Sequence, residues 1–159
     1  MSNENIALPK GANPELWRTA SRLVAESRLA VLTTADASGM PHATWMNIMV
    51  DSAMEEVVTI TAPMTQKVAN LRVNPQAEWM VASPANETIV YLSGPTQILE
   101  GDEAMRRWDR MPGKSKAYFR HYCDTDDHTK FAVIRTEVTK VVHCRPMGYR
   151  KTVVDEVAP

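Results

Sequence analysis

Two residues at the predicted start of a short helix, Thr65 and Lys67, have the chemistry of a phosphate site. Residues 57–61 have the pattern of a β-strand, and the helix predicted over residues 65–73 ends at Asn74 and Pro75. The first N–H groups of a helix lack helical acceptors, and the helix dipole is positive at that end. A strand that leads into a helix with a cation in its first turn therefore predicts an anion site, typically for phosphate.

The local chemistry of these residues leaves a second interpretation open. A lysine on a surface helix is most often solvated and binds nothing. Thr65 is expected to cap the helix in either case, because a hydroxyl at that position accepts a hydrogen bond from the first turn. Judged from these residues alone, a solvated Lys67 is the more common situation, so the phosphate interpretation needs support from the rest of the chain.

The other nucleophilic and metal-binding side chains show no catalytic or metal-ligand spacing. They are His42, His121, His128, His143, Cys123 and Cys144. No HxxxH or CxxC pattern is present, so we expect no metal site, and no Ser-His-Asp or Cys-His arrangement can be assembled. Two distant cysteines in a chain without a signal-peptide pattern predict reduced thiols and a cytoplasmic location.

Composition limits the class of protein. The chain has 159 residues, an apolar content of 44% and a charged content of 23%, as expected for one globular domain. The net charge of -1 argues against a dedicated nucleic-acid binder, which would carry a basic face. No apolar run reaches the roughly eighteen residues that would suggest a membrane span.

Alternation and helical spacing predict a mainly β protein. Predicted strands cover residues 29–34, 41–50, 57–61, 77–83, 88–99, 130–135 and 138–144, and the first three form an antiparallel meander. Predicted helices cover residues 13–26, 65–73, 100–111 and 113–122. Asp102 is a candidate cap of the third helix, and Gly94 with Pro95 predicts a bulge or bend in the long strand. Few helices separate the strands, so we expect a small antiparallel barrel with peripheral helices.

The predicted barrel leaves a short segment at each end of the chain. Residues 1–12 are polar and are expected to form an N-terminal tail. Residues 13–145 form the predicted domain, and residues 146–159 form a predicted C-terminal tail. No repeat, linker or low-complexity segment interrupts the domain.

Several short elements in one order resemble a known family. They are Gly39 and Pro41 at the start of the second strand, Thr61 at the end of the third, Thr65 with Lys67, Asn70 with Leu71, and Asn74 with Pro75. Together they resemble the pyridoxamine 5′-phosphate oxidase-like split-barrel flavoproteins, and within that family the general-stress-protein branch. The resemblance covers about residues 15–100, and the last two strands match it only in outline. It implies a six- to seven-stranded antiparallel split β-barrel with peripheral helices.

The resemblance also implies an FMN-binding homodimer, with the flavin in a cleft between the two subunits. At the phosphate end the matching residues are Thr65, Gln66 and Lys67. Two residues at the end of the third strand would line the flavin and its ribityl chain, namely Ile60 and Thr61. Four residues of the second strand would face the isoalloxazine ring, namely Thr44, Trp45, Met46 and Asn47. Trp45 has an alternative as a core residue, because most strand aromatics pack in a core.

The chain departs from the oxidase pattern at two positions. The oxidases have an arginine where Thr44 stands and another basic residue where Gln66 stands, so less positive charge would meet the phosphate here. No match to the oxidases' substrate-binding arginine motif is found around residues 143–150. Both differences argue against the oxidase reaction itself. The resemblance then implies an FMN-dependent oxidoreductase of unknown substrate. The alternatives are a non-enzymatic flavin carrier or sensor, or a deazaflavin- or haem-binding relative.

Overall fold

Nine strands and four helices make up the part of the chain that the computed structural model describes, residues 13–50, 53–127 and 129–156. The strands are β1 (Leu29–Ala35), β2 (Pro41–Asn47), β3 (Met49–Val50), β4 (Glu56–Thr61), β5 (Gln76–Ala82), β6 (Ile89–Leu99), β7 (Ala132–Glu137), β8 (Lys140–Arg145) and β9 (Arg150–Glu156). The helices are α1 (Pro14–Glu26), α2 (Gln66–Val73), α3 (Gly101–Asp109) and α4 (Gly113–Tyr122). All strand pairs are antiparallel, so the predicted mainly β fold with peripheral helices is confirmed.

The sheet curls because its two edge strands, β2 and β3, follow each other directly in the sequence. Its order is β2-β1-β5-β6-β7-β4-β3, and only Ile48 separates β2 from β3. The Ile48 N–H donates to the carbonyl oxygen of Arg28 (3.0 Å), outside the ladder that β3 forms with β4. The Thr59 hydroxyl on β4 donates to the carbonyl oxygen of Asn47, which ties the end of β2 to β4. The segment 41–50 therefore closes the split barrel.

The number of strands is higher than the six or seven expected, for two reasons. The predicted strand over residues 41–50 divides at Ile48, and the predicted meander passes from β2 through β3 to β4. In addition, β9 pairs with β8 and lies in the segment that the sequence predicts as a C-terminal tail, residues 146–159. The sheet thus extends past residue 145, while the predicted N-terminal tail lies outside the described residues.

The long strand β6 changes partners at the predicted irregularity. Its first half pairs with β5 and β8, and its second half, from Thr96, pairs with β7. Gly94 lies under the end of β7, where an added Cβ atom would overlap the carbonyl oxygen of Glu137. A residue without a side chain is therefore required where β6 passes from one part of the sheet to the other.

Two hydrophobic cores hold the helices against the sheet. The larger core fills the barrel and includes Trp79 and Leu32, with Trp17 of α1 covering it. Helix α1 begins as predicted, with the Asn13 side chain accepting hydrogen bonds from the first turn. The second core lies between the outside of the sheet and the two C-terminal helices, whose Trp108 and Phe119 are buried there. Packing in this second core fixes α4 beside β4, next to the start of α2.

Candidate functional site

The N-terminus of α2 lies at the end of β4, as the sequence predicts. Thr65 occupies the N-cap position, but no side chain accepts a hydrogen bond from the first turn. The Thr65 hydroxyl donates instead to the carbonyl oxygen of Ala62 (3.1 Å), so the predicted capping hydrogen bond is wrong. The first N–H groups of α2 are consequently not capped by a side chain, which leaves them to bind an anion.

Lys67 reaches from the first turn of α2 to the last residue of β4. Its Nζ donates to the Thr61 hydroxyl oxygen (3.3 Å), and its side chain is half-buried. Burial lowers the pKa of Lys67, and the nearby Cys123 thiol acts in the opposite direction. Among the residues that the structure describes, no carboxylate pairs with this ammonium group. A partly desolvated cation without a counter-ion favours the approach of an anionic ligand.

The side chain of Gln66 has a structural partner. Its Nε2 donates to Asn70 Oδ1 (2.7 Å), and Asn70 Nδ2 donates to the hydroxyl oxygen of Thr34 on β1 (3.0 Å). Asn70 and Thr34 are buried, so this short network seats α2 against the barrel. It gives a structural reason for Asn70 in the motif on which the family resemblance rests.

A cavity of about 410 Å³ opens beside Lys67 and contains most of the predicted site residues. Six of them line it, namely Trp45, Met46, Asn47, Ile60, Thr61 and Thr65. Lys67 adjoins this wall through its hydrogen bond to Thr61, and Gln66 is turned towards Asn70. Thr44 is not among the lining residues. It lies opposite Leu32, a residue of the barrel core, and directly opposed residues share one face of a sheet.

The sequence did not identify the opposite wall, which α4 provides. The additional lining residues are Leu29, Ala62, Tyr118, Phe119, Tyr122 and Cys123. The rings of Tyr118 and Tyr122 lie 4.8 Å apart, one helical turn from each other. Their i, i+4 spacing in a predicted helix was the available signal, but nothing in the sequence showed that α4 packs beside β2 and α2.

The open side of the cavity is aromatic. Trp45 is 68% exposed and Tyr122 is 66% exposed, which is unusual for side chains of this size. Burial and the neighbouring Tyr122 raise the pKa of Tyr118, whereas a hydrogen bond with Asn47 lowers it. The net direction is upward, so the Tyr118 phenol is protonated at neutral pH and can donate a hydrogen bond. Flat rings around an opening next to a cation suit an aromatic anion.

A second cavity of about 500 Å³ continues from the first. The two share Leu29, Asn47, Tyr118 and Phe119. The second cavity also contacts the cationic side chains of Arg28 and Lys114. Each cavity could hold one molecule, and the four shared residues would contact both.

Other chemistry is limited within the described part of the chain. There, no group of three or more His, Cys, Asp or Glu side chains could hold a metal ion, and His128 lies outside this part. Cys123 and Cys144 are free thiols, and burial raises the pKa of Cys123. No helix in the described ranges is long and apolar enough to cross a membrane.

Comparison with protein families agrees with this architecture. The sequence profile of the pyridoxamine 5′-phosphate oxidase family matches residues 16–145. This chain belongs to that family. The match spans every strand except β9 and all of α2, α3 and α4, so the cavity described above is part of the family domain.

Solved structures with the same fold differ in what they bind. A Clostridium acetobutylicum protein of the pyridoxinephosphate oxidase family, related to general stress protein 26, is 13% identical with a TM-score of 0.73, covering 90% of this chain and 96% of its own. An FMN-binding, pyridoxamine 5′-phosphate oxidase-related protein from Nostoc punctiforme is 14% identical with a TM-score of 0.61, covering 91% of each chain. A haem-binding protein from Mycobacterium smegmatis is 21% identical with a TM-score of 0.71, covering 90% of this chain and 59% of its own.

These identities are low, so the likenesses establish the fold of this pyridoxamine 5′-phosphate oxidase family member and not its ligand. A comparison with curated protein sequences found no match.

Proposed function

We infer that this protein binds FMN in the cavity between β2, β4, α2 and α4, and that it acts as an oxidoreductase on a small molecule. One observation carries the proposal. A single cavity is bordered by a helix N-terminus, by Thr61 with its hydrogen-bonded Lys67, and by exposed aromatic rings, and no described carboxylate pairs with this lysine. FMN has the matching chemistry, because it combines a phosphate with a flat tricyclic ring.

The residues near α2 suit the phosphate. Lys67 would supply a charge-assisted hydrogen bond, and the uncapped N–H groups of α2 would supply further donors. Thr65 and Thr61 would contribute hydroxyl groups beside the lysine. Since Gln66 is held by Asn70 in this structure, its predicted role beside the phosphate would require a change of partner. Lys67 would therefore be the main cationic contact.

The ring and ribityl chain fit the remaining walls. Ile60 and the segment of Trp45, Met46 and Asn47 form one side, and the aromatic residues of α4 form the other. Thr44 faces the barrel core with Leu32, so its predicted contact with the ring would be limited to the backbone. When bound, FMN would supply the hydride or electron chemistry. Asn47 and the protonated Tyr118 would hydrogen-bond and orient a molecule in the adjoining cavity.

The proposed assembly is a homodimer with the cofactor at the subunit interface. A row of half-buried and exposed apolar side chains crosses the outer face of the sheet through directly opposed strand pairs. It consists of Trp45, Val31, Met80, Tyr91, Val142 and Val153. We name these six residues the outer apolar row. A second subunit would bury this row, and Trp45 connects it to the cavity.

An absorbance spectrum of the purified protein tests the proposal directly. Bound FMN gives flavin bands, and release with acid followed by chromatography identifies the ligand. Deazaflavin or haem would give different bands and would replace FMN in the proposal. A colourless protein whose Tm does not rise with saturating FMN would contradict flavin binding altogether. Reduction of the bound flavin by NAD(P)H and reoxidation by an acceptor would support an enzyme over a carrier or sensor.

A further inference from the structure

Four arginine side chains meet around a separate cavity of about 250 Å³ that is lined by residues of α3, β6 and β7. They are Arg106, Arg107 and Arg110 at the C-terminal end of α3, and Arg135 on β7. The other lining residues are Gln97, Leu99 and Glu103. None of the nine residues predicted from the sequence lines this cavity, so it is distinct from the candidate flavin site.

Two of these guanidinium groups are fixed by one carboxylate. Glu56 on β4 forms ion pairs with both Arg107 and Arg135, the latter at 2.8 Å from Nε. Arg135 also donates to the Gln97 side-chain oxygen (3.3 Å). The carboxylate is partly buried, so it holds both guanidinium groups in one orientation at the cavity wall.

The other two arginines carry charge that no described residue balances by an ion pair. Arg106 and Arg110 are exposed and stand one helical turn apart, and neither forms a salt bridge within the described ranges. Glu103 is the only carboxylate among the described residues that line this cavity, and Glu56 contacts the cluster through its two ion pairs. Among the described residues, four permanently charged guanidinium groups therefore face two carboxylates, so this described set carries net positive charge.

An apolar chamber adjoins the positive cavity. It has a volume of about 270 Å³ and shares Arg107 and Arg110 with the arginine cluster. Its remaining wall is mainly apolar and comprises Met49, Val50, Val58, Met111 and Pro112, together with Glu56. A single small molecule could place a charged group among the arginines and an apolar group in this chamber.

We propose that the arginine cluster and the adjoining chamber bind a small phosphate monoester with an apolar body. A phosphate has three terminal oxygens and close to two negative charges at neutral pH, so several arginines can bind it at once, two of them bidentately. A carboxylate satisfies fewer donors. The two chambers have volumes of about 250 Å³ and about 270 Å³, so the phosphate would occupy one and a compact apolar body the other. The site does not depend on flavin binding in the first cavity.

Titration calorimetry with hexyl phosphate, inorganic phosphate and hexanol tests the site. Hexyl phosphate should bind at least tenfold more tightly than inorganic phosphate, because its chain removes apolar surface from water. Hexanol alone should not bind measurably. The Arg106→Gln, Arg110→Gln double variant should lose at least tenfold in affinity for hexyl phosphate.

The matched control is an Arg18→Gln, Arg22→Gln double variant. These exposed arginines are four residues apart on α1, as Arg106 and Arg110 are, and line none of the cavities described above. Their replacement therefore removes the same charge at a distant surface. An equal loss of affinity in both double variants would overturn the proposal, since it would reflect net charge alone. Absence of hexyl phosphate binding to the unmodified protein would also overturn it.

FMN provides a further check, because it carries a phosphate as well. The α3 double variant should bind FMN as the unmodified protein does. If its FMN affinity falls while that of Lys67→Ala does not, the arginine cluster is the flavin phosphate site and a separate phosphate ester site is excluded. If FMN binds neither the unmodified protein nor any variant, the proposed flavin function is contradicted. The hexyl phosphate measurements would still test the phosphate ester site independently.

Discussion

Lys67 Nζ donates to the hydroxyl oxygen of Thr61 across 3.3 Å, joining the first turn of α2 to the last residue of β4. The bond places the ammonium group beside the cavity instead of in bulk water. Thr61 and Lys67 are six positions apart, but β4 ends shortly before α2 begins. The turn between the two elements therefore brings the two side chains together, so that both could contact one ligand.

Replacement of Lys67 by alanine tests the phosphate contact. Lys67→Ala should weaken FMN binding by about tenfold or more, equivalent to about 1.4 kcal/mol. Riboflavin, which lacks the phosphate, should bind the variant and the unmodified protein alike. Isothermal titration with both ligands measures the difference. Arg72→Ala is the control, because it removes a cation from the other end of α2, where the side chain pairs with Glu100. A matching loss for FMN and riboflavin would place the phosphate elsewhere.

The lowered pKa of Lys67 predicts that FMN affinity decreases at alkaline pH. Burial disfavours the ammonium form, so in the free protein Lys67 loses its proton below the ordinary value of 10.5. A bound phosphate favours the ammonium form, and binding therefore takes up a proton once the pH exceeds the lowered pKa. Affinity should fall as the pH rises through the lowered pKa of Lys67, a range below 10.5 in which the phosphate is already a dianion.

Lys67→Arg separates this effect from other titrations. A guanidinium stays charged throughout the range, so the FMN affinity of this variant should change less with pH than that of the unmodified protein. Fluorescence titration of FMN at several pH values provides the data. Parallel pH profiles for the two proteins would show that Lys67 does not titrate in the binding equilibrium.

Much of the fold could be predicted from local patterns. The cap at Asn13 and the strand-to-helix passage at residues 57–73 depend on neighbouring residues, and both elements form where expected. The division at Ile48 could not be predicted, because residues 41–50 form one apolar, β-favouring run. The break marks a change of partner: Ile48 still bonds to Arg28, next to β1, whereas Met49 pairs with Val58 on β4. Strand β9 forms a hairpin with β8 across the turn at residues 146–149.

The lining of the candidate site could be predicted from the sequence on one side only. The residues of β2, β4 and α2 carry short motifs, and most of them line one cavity. The α4 wall depends on the second core, where Phe119 packs with residues of β4 and β7, and that contact has no local signal. Thr65 shows that a local pattern can also predict a contact that does not form. Its type and position predicted a cap, but its hydroxyl bonds backwards to Ala62.

The exposed ring of Tyr122 should contribute to flavin binding by stacking. Tyr122→Leu should weaken FMN and riboflavin binding to a similar extent, by about threefold to tenfold, because aromatic pairs contribute about 0.5–1.5 kcal/mol beyond burial. The same change at Tyr149, which is 98% exposed and lines none of the cavities, is the control. Unaltered affinity in Tyr122→Leu would exclude a ring contact with Tyr122.

The outer apolar row predicts the dimer surface. Val153→Glu places a charge within the row and should convert a dimer into a monomer at micromolar concentration, as measured by sedimentation velocity. If the cofactor lies at the subunit interface, loss of the dimer should also lower the affinity for FMN. Met147→Glu is the control, since Met147 is 86% exposed and lies outside the row. A monomeric unmodified protein would contradict the proposed assembly.

His143 on β8 predicts how stability responds to acid. Its ring is 3% exposed, and its Nε2 has no hydrogen-bond partner within the described residues. Burial, with a smaller contribution from Arg145, lowers its pKa below the ordinary value of 6.5. Between the lowered pKa and about 6.5 the unfolded chain binds more protons than the folded chain, so the free energy of unfolding falls as the pH falls through this range.

Urea denaturation near pH 7.5 and near pH 5.5 measures this effect. His143→Gln removes the titrating group, so its free energy of unfolding should decrease less between the two pH values than that of the unmodified protein. His121→Gln is the control, because His121 is exposed and its replacement should preserve the original pH dependence. If His143→Gln and His121→Gln respond identically to acid, the buried ring on β8 is not the group that couples protonation to unfolding.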